Sequence, residues 1–291
     1  MKKVVRMLGL CALVALAFTS CKKNDNTNKV TFKATITQPI ADERTNINTA
    51  NAVVWVEGDE IQVFDENGNT TDPFEATIDE TNPRLATFTG DPAFLANINE
   101  AGKYTAFYPV QTINPTEGTV TMNEIPATQT YVPRSQGRIA SDLYPMHATN
   151  NDEGNFVFSS DAGVLRISLF SSATAYQFKV KRIEIIAAEG DELTGTLVYN
   201  NVTRAIENVI APAADANKVV LECGDTSLPD DPDASKDFDI VVLGGVFSQG
   251  FTMNVVRDDD EVFTVTTTKN NIINGGHVRA MYAIDIVNPG I

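Results

Sequence analysis

Short stretches of strict alternation between apolar and polar positions recur along the chain. Phe32, Ala34 and Ile36 alternate with Thr31, Lys33 and Thr35. Phe251, Met253 and Val255 alternate with Thr252 and Asn254, and Val278, Ala280, Tyr282, Ile284 and Ile286 form a longer alternating run near the C-terminus. Successive side chains of an extended backbone point to opposite faces, so a period of two predicts half-buried strands, and the β-branched and aromatic residues in these runs agree. Glycine-bearing dipeptides punctuate them at Asn67-Gly68, Glu117-Gly118, Glu189-Gly190 and Gly275-Gly276, where a turn needs backbone conformations that glycine reaches without steric cost. Val255 to Phe263 reads as a hairpin with the acidic tip Asp258-Asp259-Asp260-Glu261. No segment sustains a period of 3.6. One short helix is expected where Asp91 caps and Pro92 takes the first position, with Phe94, Leu95 and Ile98 on one face. The pattern predicts an all-β chain with few short helices, built as β-sandwiches.

The polar stretch Thr149 to Asn155 separates two strand-rich halves and sets an expected boundary between domains at residues 30–150 and 151–291. Gly224 to Asp239 carries Pro229, Pro232 and six aspartates and is expected to be a long surface loop inside the second half.

The first residues have a different character. Lys2, Lys3 and Arg6 make a positive start, Leu8 to Phe18 an apolar stretch too short for a stable membrane span, and the small residues Thr19 and Ser20 precede Cys21. This is the layout of a secretory signal over residues 1–21, and its end resembles the lipobox of bacterial lipoproteins, in which the cysteine thiol is acylated before cleavage. Cys21 is therefore the expected lipidation site, and a lipid tethers a protein to a membrane without spanning it. Residues 22–29, polar and Asn-rich, are expected to be a flexible tether.

Composition narrows the function. An apolar fraction of 43% supports a packed core. Formal net charge is -16, and loss of the three leader cations takes it to about -19. No basic patch is evident, so nucleic acid is not an expected partner. Cys11 falls in the leader and Cys21 at its end, which leaves Cys223 as the one cysteine of the body. An internal disulfide is then excluded, and Cys223, following Val219, Val220 and Leu221, reads as a small buried hydrophobe.

Candidate chemistry is sparse. His147 and His277 are the only histidines, Ser248 sits in Val246-x-Ser248-x-Gly250 without the first glycine of a nucleophile elbow, and clustered His or Cys ligands for zinc are missing. The run Asp230 to Asp237 offers oxygen ligands for calcium but has no closing glutamate, and Lys236 lies among the candidates. No catalytic residue, metal site or cofactor is expected. Paired carboxylates of a glycoside hydrolase carry no local spacing signature, so a secreted hydrolase stays open as an alternative.

A series of segments resembles the fimbrillin family, lipoprotein-derived pilus subunits and pilus-like adhesins of anaerobic Gram-negative gut and oral bacteria. The series is Trp55-Val56-Glu57-Gly58-Asp59-Glu60-Ile61-Gln62-Val63-Phe64, then Ala86-Thr87-Phe88-Thr89-Gly90, Tyr104-Thr105-Ala106-Phe107-Tyr108-Pro109, Ile125-Pro126-Ala127-Thr128-Gln129 and Tyr144-Pro145-Met146. Phe156-Val157-Phe158, Gly163 to Leu169 and Lys181 to Ile186 continue it more loosely. The resemblance implies two tandem transthyretin-like sandwiches and a non-enzymatic fimbrial subunit or adhesin at the outer membrane. It also implies a maturation in which a protease cuts after an N-terminal arginine, the first strand leaves, and a strand of another pilin subunit fills the groove. Arg44 is the one arginine between Cys21 and Arg84 and is the expected cut. Phe32, Ala34 and Ile36 are then the apolar face that the incoming strand replaces. Implied partners are other pilin subunits, the outer membrane through the lipid, and a host or bacterial surface ligand. A glycan-binding surface lipoprotein with exposed aromatics is the other alternative.

Overall fold

The computed structural model describes residues 29–37, 40–41, 53–70, 72–91, 95, 98–114, 118–133, 139, 143–173, 176–210, 215–245 and 247–287. Cys21, the leader, nearly all of the expected tether, Arg44, Pro92 and Phe94 lie outside them. The first strands are β1 (Val30–Ile36), β2 (Ile40–Ala41), β3 (Glu60–Asp65), β4 (Phe74–Ile78), β5 (Leu85–Gly90), β6 (Tyr104–Tyr108) and β7 (Thr112–Asn114). Then come β8 (Thr119–Ile125), β9 (Thr128–Thr130), β10 (Met146–Thr149), β11 (Phe156–Ser160), β12 (Ala162–Phe170), β13 (Lys179–Ala187) and β14 (Gly195–Asn200). The last are β15 (Ala205–Ile210), β16 (Lys218–Ser227), β17 (Lys236–Leu243), β18 (Phe251–Arg257), β19 (Val262–Thr267), β20 (His277–Ala280) and β21 (Ile284–Asp285). Among the described residues helical structure is confined to the 3-10 turn Pro232–Ala234 and to Leu143. The fold is all-β and of the sandwich type.

Seven strands close on themselves in the order β1-β11-β10-β6-β3-β4-β5. The remaining strands form a sheet β17-β12-β20-β2 with β21 also on β12, a second sheet β19-β18-β13-β16-β9, and a third β15-β14-β8-β7. Closure of the first group leaves its strands without free edges. Its interior is aromatic: Phe32, Phe74, Phe88, Phe156, Phe158 and Trp55 are all buried. Each such ring removes a large apolar area from water, roughly 1.5–3 kcal/mol per fully buried side chain. Gly90 is set by this packing, since a Cβ there would come within 2.4 Å of the Phe74 ring.

The chain's order and its pairing differ at the expected boundary. β11 lies after Asn151 in sequence yet pairs with β1 and β10 in the closed group. β8 and β9 lie before it yet pair with β14 and β16. Nor is the polar stretch around residue 150 a free connector. Asn150 is buried, and its side chain accepts from the Tyr104 N–H (2.8 Å) and donates to the carbonyls of Ile98 (2.6 Å) and Glu100 (2.8 Å).

β12 is buried at every position from Ala162 to Ile167, as a strand covered on both faces must be. β13 carries a bulge between Val180 and Arg182 in its pairing with both neighbours, which keeps Val180, Ile183 and Ile185 buried despite the change in spacing. The hairpin expected from Val255 to Phe263 is present, with Val256 opposite Val262. The C-terminal alternating run is not one strand. β20 and β21 both lie parallel to β12, separated by residues 281–283, and Tyr282 is 79% exposed. To follow β12 twice the chain must step between the two contacts, and local alternation carries no sign of that step.

Candidate functional site

β1 is the element that the sequence singles out, and it lies inside a sheet. On one side it pairs antiparallel with β5 through six residue pairs, Val30 opposite Gly90 to Thr35 opposite Leu85. On the other it pairs parallel with β11, Ala34 to Ile36 opposite Phe156 to Phe158. The Ile36 N–H donates to the Arg84 carbonyl (2.9 Å) and the Thr37 N–H to the Phe158 carbonyl (2.8 Å), which extends both ladders to the strand's end. The alternation seen in the sequence is used as expected: Phe32, Ala34 and Ile36 face inward at 4%, 0% and 2% exposure. The Phe32 ring lies 4.9 Å from Phe156 and 5.1 Å from Phe74, centroid to centroid, both tilted.

Trp55 holds the strand from within. Its indole Nε1 donates to the Ala34 carbonyl at 3.2 Å, and its ring meets Phe88, Tyr108 and Phe158 edge-on at 5.0, 5.3 and 5.3 Å. The segment from Trp55 to Asp59 is a turn that fixes this position. Gly58 takes φ +82°, Asp59 N–H donates to the Val56 carbonyl (3.0 Å), and the Asp59 carboxylate accepts from Val56 N–H (2.8 Å) and the Tyr108 hydroxyl (3.0 Å). Burial raises the Asp59 carboxyl above the usual range, against the two hydrogen bonds that favour its charged form. The sequence shows Trp55 as bulk for a core. Its bond to β1 is not legible there, because the acceptor is a backbone carbonyl 21 residues away.

β2 follows β1 closely but belongs elsewhere. Ile40 and Ala41 pair parallel with His277 and Val278 of β20, at the edge of the sheet built on β12. The first two strands thus occupy two different sheets, a placement that no local pattern signals.

The residues weighed for catalysis or metal binding are engaged separately. His147 Nδ1 lies 2.6 Å from an Asp161 carboxylate oxygen, with the Tyr199 ring 4.7 Å away. The Ser160 hydroxyl donates to the Pro145 carbonyl (2.9 Å) and accepts from the Ala162 N–H (3.0 Å). Ser248 bonds Asp191 at the exposed surface, and His277 is in β20. In the acidic loop, Asp231 caps the 3-10 turn by accepting from the Asp233 N–H, Asp237 accepts from Ser168, and Asp239 is paired with Arg166. These carboxylates serve three different partners, and among the described residues no group of three or more His, Cys, Asp or Glu could hold a metal ion. Cys223 is buried at 3% exposure, and burial pushes its thiol pKa well up, so it stays protonated and unreactive.

No family model matches the chain, and no curated protein matches it. Solved structures do. A candidate cell adhesion protein from Bacteroides uniformis aligns with a TM-score of 0.56 at 15% identity, over 92% of this chain and 96% of that one. A second candidate cell adhesion protein, from Bacteroides ovatus, aligns with a TM-score of 0.50 at 13% identity, over 88% and 91%. At such identities the likeness is one of fold, and it extends over nearly the whole length of each chain.

Proposed function

We propose that this chain is a non-enzymatic cell-surface fimbrial subunit or fimbrillin-like adhesin, exported as a lipoprotein and assembled by β-strand addition. The observation that carries the reading is β1: an interior strand, apolar on its inner face, joined to the rest of the chain through the segment that contains Arg44. The fold shared with two candidate cell adhesion proteins supports it. Cleavage after Arg44 would separate β1 covalently from the body. Its loss would leave β5 and β11 with unpaired backbone groups and an open apolar groove, which a strand from another subunit can fill. The same cut would free β2 and uncover the edge of β20. One cleavage would then open two sheets. The chain is read as two sandwich units of about residues 30–150 and 151–291, with β2, β8 and β9 of the first stretch and β11 of the second crossing over in their pairing. Other subunits, the outer membrane through the lipid on Cys21, and a surface ligand are its partners in this reading.

Digestion of the purified chain with an arginine-specific protease, followed by sizing and N-terminal sequencing, tests the assembly step. A new N-terminus at Thr45 together with growth into oligomers is expected. Resistance at Arg44, or a stable monomer that keeps β1 bound, contradicts it. The anchor has its own test. Cys21→Ala is expected to leave the chain unprocessed at this site or to release it in soluble form. A variant that stays membrane-bound and lipid-labelled would show that the lipid is elsewhere.

A further inference from the structure

Among the described residues β19 is an edge strand, since it pairs with β18 and with no other strand. The Arg257 N–H donates to the Glu261 carbonyl at 3.0 Å, so Glu261 directs its carbonyl at β18. Antiparallel pairing alternates, so Phe263, Val265 and Thr267 also turn their backbone groups toward β18, while those of Val262, Thr264 and Thr266 point outward. Among the described residues no backbone hydrogen bond outside the ladder satisfies these outward groups.

The strand also lacks the usual guards of an edge. Val262-Phe263-Thr264-Val265-Thr266-Thr267 contains no charge, proline or glycine, and every residue in it favours extended structure. Val262 is 54% exposed, and Phe263 and Val265 are only partly covered against the core. The hairpin is held rigidly at its other end by Gly250, at φ +87°, where a Cβ would meet the Thr267 carbonyl oxygen and so has no room.

Charge selects the occupant. Glu261 and Lys269 flank the strand at equal distances from Val265, and neither side chain has an ion pair or hydrogen bond among the described residues. An antiparallel copy of β19 placed about a two-fold axis through Val265 sets Thr264 opposite Thr266, so that outward backbone groups meet outward backbone groups. At each end of this register Glu261 of one copy, one residue before the strand, comes beside Lys269 of the other, which stands at the bend two residues past Thr267. The strand is therefore complementary to itself in hydrogen bonding and in charge.

We propose that β19 is a lateral self-association edge, at which two copies of this chain join antiparallel into a sheet continuous across both. A contact of one strand pair is small, so the dimer is weak and reversible. If the chain is also a fimbrial subunit, as read above, repetition along neighbouring fibres would multiply it. The contact itself does not depend on that reading, because it needs neither cleavage at Arg44 nor loss of β1.

Sedimentation velocity on the uncleaved full chain over a concentration series tests it. A reversible monomer–dimer equilibrium is expected. Glu261→Lys alone and Lys269→Glu alone should each weaken dimerisation by about tenfold, since each sets like charges beside each other at both ends. An equimolar mixture of the two variants should recover it, because the mixed dimer pairs opposite charges again. Thr264→Pro removes an outward N–H without touching the ladder to β18 and should also abolish the dimer, with the circular dichroism spectrum unchanged. A chain monomeric at all concentrations, or a dimer indifferent to these variants, overturns the proposal. So does failure of the mixture to recover, which would point to a heterologous contact with another surface.

Discussion

Asp239→Ala is expected to lower the free energy of unfolding by about 3–5 kcal/mol in urea denaturation, the cost of stranding a buried guanidinium. Arg166 on β12 and Asp239 on β17 are directly opposite one another, and they pair in two parallel bonds, Nε to Oδ1 at 2.6 Å and Nη2 to Oδ2 at 2.8 Å. Their side chains are 5% and 2% exposed. Removing the carboxylate leaves the buried cation without its hydrogen-bonded partner, with Asp237 as the remaining neighbouring carboxylate, while β12 is the strand that carries β17, β20 and β21. The companion experiment replaces both partners, Arg166→Met with Asp239→Leu. Desolvation of an ion pair offsets most of its attraction, so this apolar pair should regain most of the lost stability. A cost below about 1 kcal/mol for Asp239→Ala would mean that water reaches the guanidinium and that the pair behaves as a surface one.

Phe32→Ala should cost a comparable amount, about 3–5 kcal/mol, because it removes the ring that joins Phe74, Phe88 and Phe156 and leaves a cavity at the centre of the closed group. This substitution also reports on function. If β1 is exchanged for a neighbour's strand, its retention after the chain is cut depends on burial of Phe32, Ala34 and Ile36 together with the β5 and β11 ladders. In an Arg44-cleaved sample, the variant's first strand should therefore leave faster than the native one, measured as release of a label placed on β1. An unchanged release rate would place the barrier in the backbone ladders or in the Trp55 bond to Ala34. Loss of less than about 1 kcal/mol in the intact chain would show that the neighbouring rings collapse into the space.

The sequence by itself determined the class of this protein and much of its local structure. The alternation in β1 and β18 identifies their buried faces residue by residue, because the side-chain period of an extended chain is fixed by its covalent geometry. The turns at Gly68, Gly118, Gly190 and Gly276 were legible for a similar reason: each takes a positive φ that other residues adopt only at a cost. The acidic hairpin tip followed from two strand patterns that flank a short polar segment. All of these are properties of neighbouring residues.

Only the tertiary structure decided which strands meet. A strand's inward face says nothing of its edge partners, because backbone hydrogen bonds are the same for every residue. Hence β1 finds β11 more than a hundred residues away, β2 crosses to the sheet of β20, and β8 joins β14 across the boundary that composition suggested. Asn150 shows the limit most clearly. Its polar neighbours mark a loop, yet its amide is buried because three backbone groups, of Tyr104 in β6 and of Ile98 and Glu100 in the turn before it, need partners that water can no longer supply. Trp55 is the counterpart in the candidate site. Its size foretells burial, but its hold on the first strand exists only once the closed sheet carries the Ala34 carbonyl to the indole.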